Sequence, residues 1–147
     1  MQGPLYYLLA FGAGLVLVLQ VGMNSTLRAV LDSPLAAALI SFLVGTLALA
    51  LYMLVTRTPW PARAQLADVP GWAWYGGVLG AFYVATSVIV GPRLGAATLL
   101  SLIVLGQLLT SLLVDHFGWI GFPAHPVSVA RVAGAVLLFA GVVLITR

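Results

Sequence analysis

An all-α membrane protein, a polytopic bundle of five transmembrane helices, is the fold class that this sequence predicts. Of its 147 residues, 63% are hydrophobic and only 6% are charged, whereas about a quarter of the residues in soluble domains are charged. A helix needs about 20 apolar residues to cross the hydrocarbon core of a bilayer, so five crossings use nearly the whole chain. Residues 1–147 are therefore expected to form a single transmembrane domain with no separate catalytic domain.

Polar and proline-containing stretches divide the apolar sequence into the five expected spans. Asp32-Ser33-Pro34 is typical of a helix start, because proline is tolerated in a first turn and the preceding side-chain oxygen can accept from free backbone amides. Pro92 lacks an amide hydrogen and Arg93 needs water, so a tight turn at the membrane surface is expected there. The expected spans cover residues 5–26, 35–56, 72–91, 94–116 and 128–145.

Charge and residue types exclude several classes of function. Six arginines, three aspartates and no lysine give a net charge of +3, and because the arginines are scattered singly, nucleic acid is not an expected partner. With no cysteine, disulfides and thiolate chemistry are excluded. Ser111, Asp115 and His116 lie on one helix without an apparent oxyanion site, so a hydrolase is not expected. No catalytic residue, cofactor or metal site is predicted.

Polar side chains deep within apolar spans are the candidate binding residues, because lipid offers them no hydrogen bond. Gln20 and Asn24 share a face of the first helix, Tyr83 lies near the middle of the third, and Gln107 and Ser111 share a side of the fourth. These residues are predicted to line a common cavity and bind a substrate. The alternative is that they bond one another and hold the helices together, at roughly 0.6 to 2 kcal/mol per contact.

Two further features concern packing and charge placement. Gly76 and Gly80 form a G-x-x-x-G notch that favours close helix packing, with a hinge as the alternative. Arg93 and Asp115 come from opposite ends of the fourth span, so they are expected at opposite interfaces, where each side chain can reach water.

The arginines do not favour one orientation of insertion. When loops are assigned alternately to two sides, one side holds Arg57, Arg63 and Arg131, and the other holds Arg28, Arg93 and Arg147. Orientation follows the bias of Lys and Arg in short flanking loops, and here there is none. The chain is therefore expected to insert both ways. Unequal loop lengths or a translocation partner could instead select one orientation.

Several short patterns occur along the chain: Gln20 with Asn24, Trp74-Tyr75-Gly76-Gly77 with Gly80, Pro92-Arg93-Leu94-Gly95, Gly106-Gln107 with Ser111 and Asp115, and Arg131 with Gly134. Together they resemble the YdcZ-like family, a poorly characterised branch of the drug/metabolite transporter superfamily, and the resemblance covers essentially the whole chain. It implies a five-helix unit that works as an antiparallel pair, formed by one dual-topology chain, by two oppositely oriented chains or by a fused duplicate. The expected location is the bacterial cytoplasmic (inner) membrane.

The expected function is secondary transport of a small organic solute by alternating access in an antiparallel homodimer. Expected partners are a second copy of the chain, membrane lipid and the solute. Small multidrug exporters of the same superfamily carry a glutamate in their first helix, whereas this chain has only apolar residues and glycine around the middle of that helix. Proton-coupled export by that mechanism is therefore not expected. A non-transporting scaffold or a lipid-handling protein are the alternatives.

Overall fold

Six α-helices account for most of the chain in the computed structural model, which describes residues 3–147. No strand occurs among these residues. The helices are α1 (Pro4–Leu31), α2 (Pro34–Val55), α3 (Arg63–Ala67), α4 (Tyr75–Leu94, preceded by a 3-10 turn at Gly71–Trp74), α5 (Ala96–Phe117) and α6 (Val129–Ile145).

Within residues 3–147, four helical segments are long and apolar enough to cross a membrane. They are Pro4–Leu31, Pro34–Val55, Gly71–Leu94 and Ala96–Phe117. The remaining apolar helix, Val129–Ile145, has 17 residues. Most large apolar side chains of all five helices are exposed, which is costly in water but suits helices surrounded by lipid or by other helices. The membrane character predicted from composition is confirmed.

The chain divides into two units, Met1–Arg93 and Leu94–Arg147. In the first unit α1 packs against α2, and a small buried cluster of Ala37, Ala38, Val84 and Val88 joins α2 to α4. In the second unit α5 packs against α6. Each unit therefore has its own helix–helix contacts.

The start of α2 confirms the predicted helix start at Asp32-Ser33-Pro34. The Ser33 hydroxyl accepts from the amide of Ala36 at 3.2 Å, and Pro34 occupies the first helical position. Such a cap contributes about 1 kcal/mol. Asp32 adopts a left-handed conformation (φ 50°) that ends α1, and aspartate tolerates this conformation better than most residues.

Helix α1 continues to Leu31, past the end predicted from hydrophobicity. The polar residues at its end fit a helix because they are satisfied locally or lie against neighbours: Thr26 Oγ1 donates to the carbonyl of Gly22 at 3.2 Å, and Asn24 is buried. Arg28 lies in the last turn, where a positive charge interacts favourably with the helix dipole. The apolar run is therefore shorter than the helix that contains it.

The break predicted within residues 91–95 lies at its last residue, Gly95, because α4 runs through Pro92 and Arg93 to Leu94 and α5 begins at Ala96. Besides losing one hydrogen bond of the helix, a proline disfavours the helical conformation of the residue before it by crowding the Cβ and amide of that residue. Here that residue is the buried Gly91, which has no Cβ. The helix ends instead at Gly95, whose φ of 77° suits glycine.

Gly118 ends α5 and lets the following loop fold back on it. Its φ is 64°, and a Cβ at this position would lie 3.1 Å from the Cβ of Ala124, so the close approach requires glycine. The loop is then held by the amide of His125, which donates to the carbonyl of Asp115 at 2.6 Å. It is held also by the amide of Val127, which donates to Nδ1 of His116 at 3.2 Å.

Candidate functional site

A groove between α1 and α2 brings together the first two predicted site residues. Gln20 and Asn24 lie one turn apart on α1, and Ser41 reaches the same groove from α2. The groove has a volume of about 790 Å³, and its other lining side chains are apolar, among them Val16 and Val44. Sequence reasoning did not single out Ser41, which the start of α2 places opposite the end of α1.

Gln20 and Ser41 also border a neighbouring depression of about 230 Å³. Thr46 and Gly45 line it from α2. Thr46 donates to the carbonyl of Phe42 at 2.8 Å, so its hydroxyl is engaged within its own helix. Gln20 thus stands between two recesses and can present its amide to either.

The amide groups of Gln20 and Asn24 are available for recognition. Asn24 is only 3% exposed. Among the side-chain hydrogen bonds of residues 3–147, none involves either amide. Gln20 is half-buried, and neither amide is among the buried polar atoms without a partner in residues 3–147. Both amides can therefore bond to a ligand, to water or to a second chain.

Tyr83 lies in the same unit but on α4, and it does not line this groove. It packs against the cluster of Ala37, Ala38, Val84 and Val88. Its hydroxyl is buried and has no hydrogen-bond partner within residues 3–147. The hydroxyl of the nearby Ser87, by contrast, donates to the carbonyl of Val84 at 2.8 Å.

Gln107 and Ser111 lie in the second unit, on α5. Gln107 is exposed. Ser111 lines a separate groove of about 410 Å³ between α5 and α6, together with Asp115 and Arg131. The prediction that these two residues share one cavity with Gln20, Asn24 and Tyr83 stays a prediction.

Asp115 and Arg131 form an ion pair that sequence reasoning missed. Arg131 Nη1 lies 3.3 Å from Asp115 Oδ2 and also 3.3 Å from the carbonyl oxygen of His125. The two residues occupy the last turns of α5 and the first turn of α6. The order of the helices could have predicted this pair, because the end of one membrane helix and the start of the next lie at the same face of the membrane.

The polar end of α1 borders another recess in the first unit. Arg28, Asp32 and Pro92 line it with Ser25 and Thr26, and its volume is about 550 Å³. This recess is charged, unlike the groove at Gln20 and Asn24.

The G-x-x-x-G notch of α4 is used at one of its two glycines. A Cβ on Gly80 would lie 3.5 Å from the ring of Phe42 on α2, whereas a Cβ on Gly76 would meet no atom within 4 Å. Gly80 therefore packs against α2 within one chain, and Gly76 leaves an open surface.

The described residues offer hydrogen bonds rather than metal ligation. Over residues 3–147, no group of three or more His, Cys, Asp or Glu side chains is placed to hold a metal ion. The α1–α2 groove offers two amides and a hydroxyl, which both donate and accept hydrogen bonds, beside apolar side chains. Such a surface can bind a solute that carries polar and apolar parts.

Comparison with known proteins identifies relatives along the whole chain. Residues 5–144 match the family described as "Putative inner membrane exporter, YdcZ". The "Inner membrane protein YdcZ" of Escherichia coli (strain K12) is 30% identical over 145 residues, which is 97% of this chain and 94% of the relative. No solved structure matches the chain significantly. The similarity extends from α1 to α6.

Proposed function

Since the chain belongs to the YdcZ family and is an integral inner membrane protein, we propose that it is a secondary transporter that exports a small organic solute. The family's description as an exporter supports transport. We choose the α1–α2 groove as the solute site because the polar side chains of Gln20, Asn24 and Ser41 line it together.

The groove is suited to an uncharged polar solute with an apolar part. Its volume of about 790 Å³ is within the roughly 300–1,000 Å³ of small-molecule sites. No ionised side chain lines it, so recognition rests on hydrogen bonds and apolar contact rather than on a buried counter-charge. Asn24 is the most constrained donor and acceptor, because it is almost fully buried.

Transport in this proposal takes place in an antiparallel homodimer whose protomers each cross the membrane five times. The fifth crossing is α6, whose 17 residues lie at the short end of the workable range of roughly 17–25. A second, inverted copy would cover the open groove and enclose the solute. Because inversion makes the inward-open and outward-open states equivalent, exchanging the roles of the protomers moves the site from one side to the other.

A thermal-shift screen of the purified chain against metabolites tests the proposed site. A solute that binds only the folded protein raises its melting temperature, and we expect that Asn24→Leu abolishes the shift caused by such a solute. Thr26→Val is the matched control, because Thr26 lies on the same helix outside the groove and bonds to its own backbone. It should retain the shift.

Flux in liposomes then tests transport itself. The bound solute should cross the membrane with wild-type protein and with Thr26→Val, and not with Asn24→Leu. Lipid scrambling without solute flux would indicate a lipid-handling protein, and an absence of both would indicate a scaffold. Either result would overturn the proposed function.

A further inference from the structure

The groove between α5 and α6 has an ionic end and an apolar end. Asp115 and Arg131 lie at one end with Ser111 beside them, and Leu108, Leu112 and Ala135 line the rest. Residues 108, 111, 112 and 115 fall on one face of α5 because they are spaced by three and four. This division matches an amphiphile, with a polar group at the helix ends and hydrocarbon toward the middle of the helices.

The ionic end has unused bonding capacity. Only Nη1 of the Arg131 guanidinium makes contacts within residues 3–147, to Asp115 Oδ2 and to the carbonyl of His125, whereas a guanidinium carries five N–H donors. Both distances are 3.3 Å, longer than the roughly 2.7–2.9 Å of strong charge-assisted bonds. The side chains are 38% and 30% exposed, so a second ion pair can add to the first without displacing it.

The apolar end has room for an acyl chain beside Gly134. No atom lies within 4 Å of the position that a Cβ on Gly134 would take, and Gly134 lines the groove. The missing side chain thus deepens the groove one turn beyond Arg131.

We propose that this groove binds a phospholipid with a primary-amine zwitterionic headgroup. The lipid phosphate accepts hydrogen bonds from the free N–H groups of Arg131, its ammonium donates to Asp115, and one acyl chain lies along Leu108, Leu112 and Gly134. Charge complementarity selects this headgroup. Phosphatidylglycerol has the same phosphate but neutral hydroxyls in place of the ammonium, so it bonds the Asp115 carboxylate more weakly and leaves its charge unbalanced. A quaternary ammonium has no N–H with which to bond the carboxylate.

Native mass spectrometry of the purified full-length chain tests the proposal. The protein is mixed with equal amounts of phosphatidylethanolamine, phosphatidylcholine and phosphatidylglycerol that carry the same acyl chains. We expect about tenfold preferential retention of phosphatidylethanolamine, the effect of one charge-assisted hydrogen bond. Asp115→Asn and Arg131→Gln should each remove the preference. Equal retention of the three lipids by wild type, or a preference that survives both substitutions, would overturn the proposal.

A second pair of variants leaves the ion pair untouched. It therefore tests lipid binding in the groove even if the charge variants do not fold. Gly134→Leu fills the apolar end and should reduce retention of all three lipids. Gly141→Leu is the matched control on the same helix, because its added side chain also has open space but lies outside the groove. The proposal would be overturned if Gly134→Leu retained the lipids as well as the wild-type protein does. Displacement of the lipid by an equal concentration of glycerophosphoethanolamine, which has the headgroup but no acyl chains, would also overturn it.

Discussion

Asn24 and Tyr83 place polar atoms among apolar side chains of the first unit. Asn24 is 3% exposed, and the Tyr83 hydroxyl is buried without a partner in the described residues 3–147. Since hydrocarbon cannot supply the missing hydrogen bonds, polar groups retained within membrane helices commonly mark functional positions. We therefore expect the Asn24 amide to find its partner in a solute or in the second copy, and the buried Tyr83 hydroxyl to find one only after the helices around it move.

Replacing Tyr83 with phenylalanine should separate function from folding. The substitution removes a hydroxyl that has no partner in the protomer, so the melting temperature should stay the same or rise slightly. Flux should fall by about two- to tenfold, as expected for one lost hydrogen bond of roughly 0.5–1.5 kcal/mol. Circular dichroism and liposome flux give the two readouts. A clear fall in melting temperature would instead show that the hydroxyl is bonded within the fold.

Gln107→Leu tests the predicted membership of α5 in the transport cavity. Gln107 is an exposed amide in the middle of an apolar helix, where a purely lipid-facing position would be costly. We expect solute flux to be abolished while folding and self-association, followed by size-exclusion chromatography, are unchanged. Loss of self-association would show that Gln107 joins helices together and does not bind the solute.

At the scale of the elements, α4 presents two glycines with different surroundings. Leucine at Gly80 would push against the Phe42 ring, only 3.5 Å from where the Cβ would stand, whereas leucine at Gly76 meets open space. Gly80→Leu should therefore lower the melting temperature of the protein relative to Gly76→Leu, which gains helix propensity without a clash. Equal melting temperatures for the two variants would mean that the Phe42 ring moves aside without a cost in stability.

The position of Asp115 bears on the coupling of transport to protons. It lies at the end of α5 and contacts Arg131, so it is not a central carboxylate of the kind that carries protons in small multidrug exporters. We expect solute flux under an imposed pH gradient to be the same in wild type and in Asp115→Asn. Strong proton-driven accumulation that disappears in Asp115→Asn would contradict this expectation.

Sequence patterns predicted some of these elements well and others poorly, for identifiable physical reasons. The cap at Ser33 was predictable because serine before proline acts through neighbouring backbone alone. The end of α4 was not, because the effect of Pro92 depends on the missing Cβ of Gly91. The shared face of Gln20 and Asn24 was also predictable, because it follows from helical spacing alone. The position of Ser41 in the groove and the pairing of Asp115 with Arg131 were not, because each depends on how two helices pack.

At the scale of the whole molecule, the arginines predict insertion in both orientations. Three lie on each side when the five apolar helices alternate across the membrane, and short-loop arginines are what normally select one orientation. We therefore expect an antiparallel homodimer, in which two inverted copies present the same surface to each other in a closed two-fold contact.

Reporter fusions at the C-terminus measure this directly. A reporter should be active on both sides of the membrane, and one arginine added or removed near Arg93 or Arg147 should change the ratio. The matched control is Arg57→Gln or Arg63→Gln in the loop assigned to the opposite side. This loss of an arginine should change the ratio in the direction opposite to the loss of an arginine near Arg93 or Arg147. Activity confined to one side and insensitive to these substitutions, together with a parallel dimer in lipid, would contradict dual topology.

The unequal lengths of α1 and α6 have a consequence for the bilayer itself. With 28 and 17 residues and a rise of 1.5 Å per residue, they span about 42 Å and about 26 Å, against a hydrocarbon thickness of about 30 Å. The long helix can tilt, whereas α6, as the proposed fifth crossing, would draw the two leaflets together around it. The elastic deformation of the bilayer around this protein should therefore depend on the length of the lipid acyl chains. Thinner membranes should accommodate the protein with less deformation.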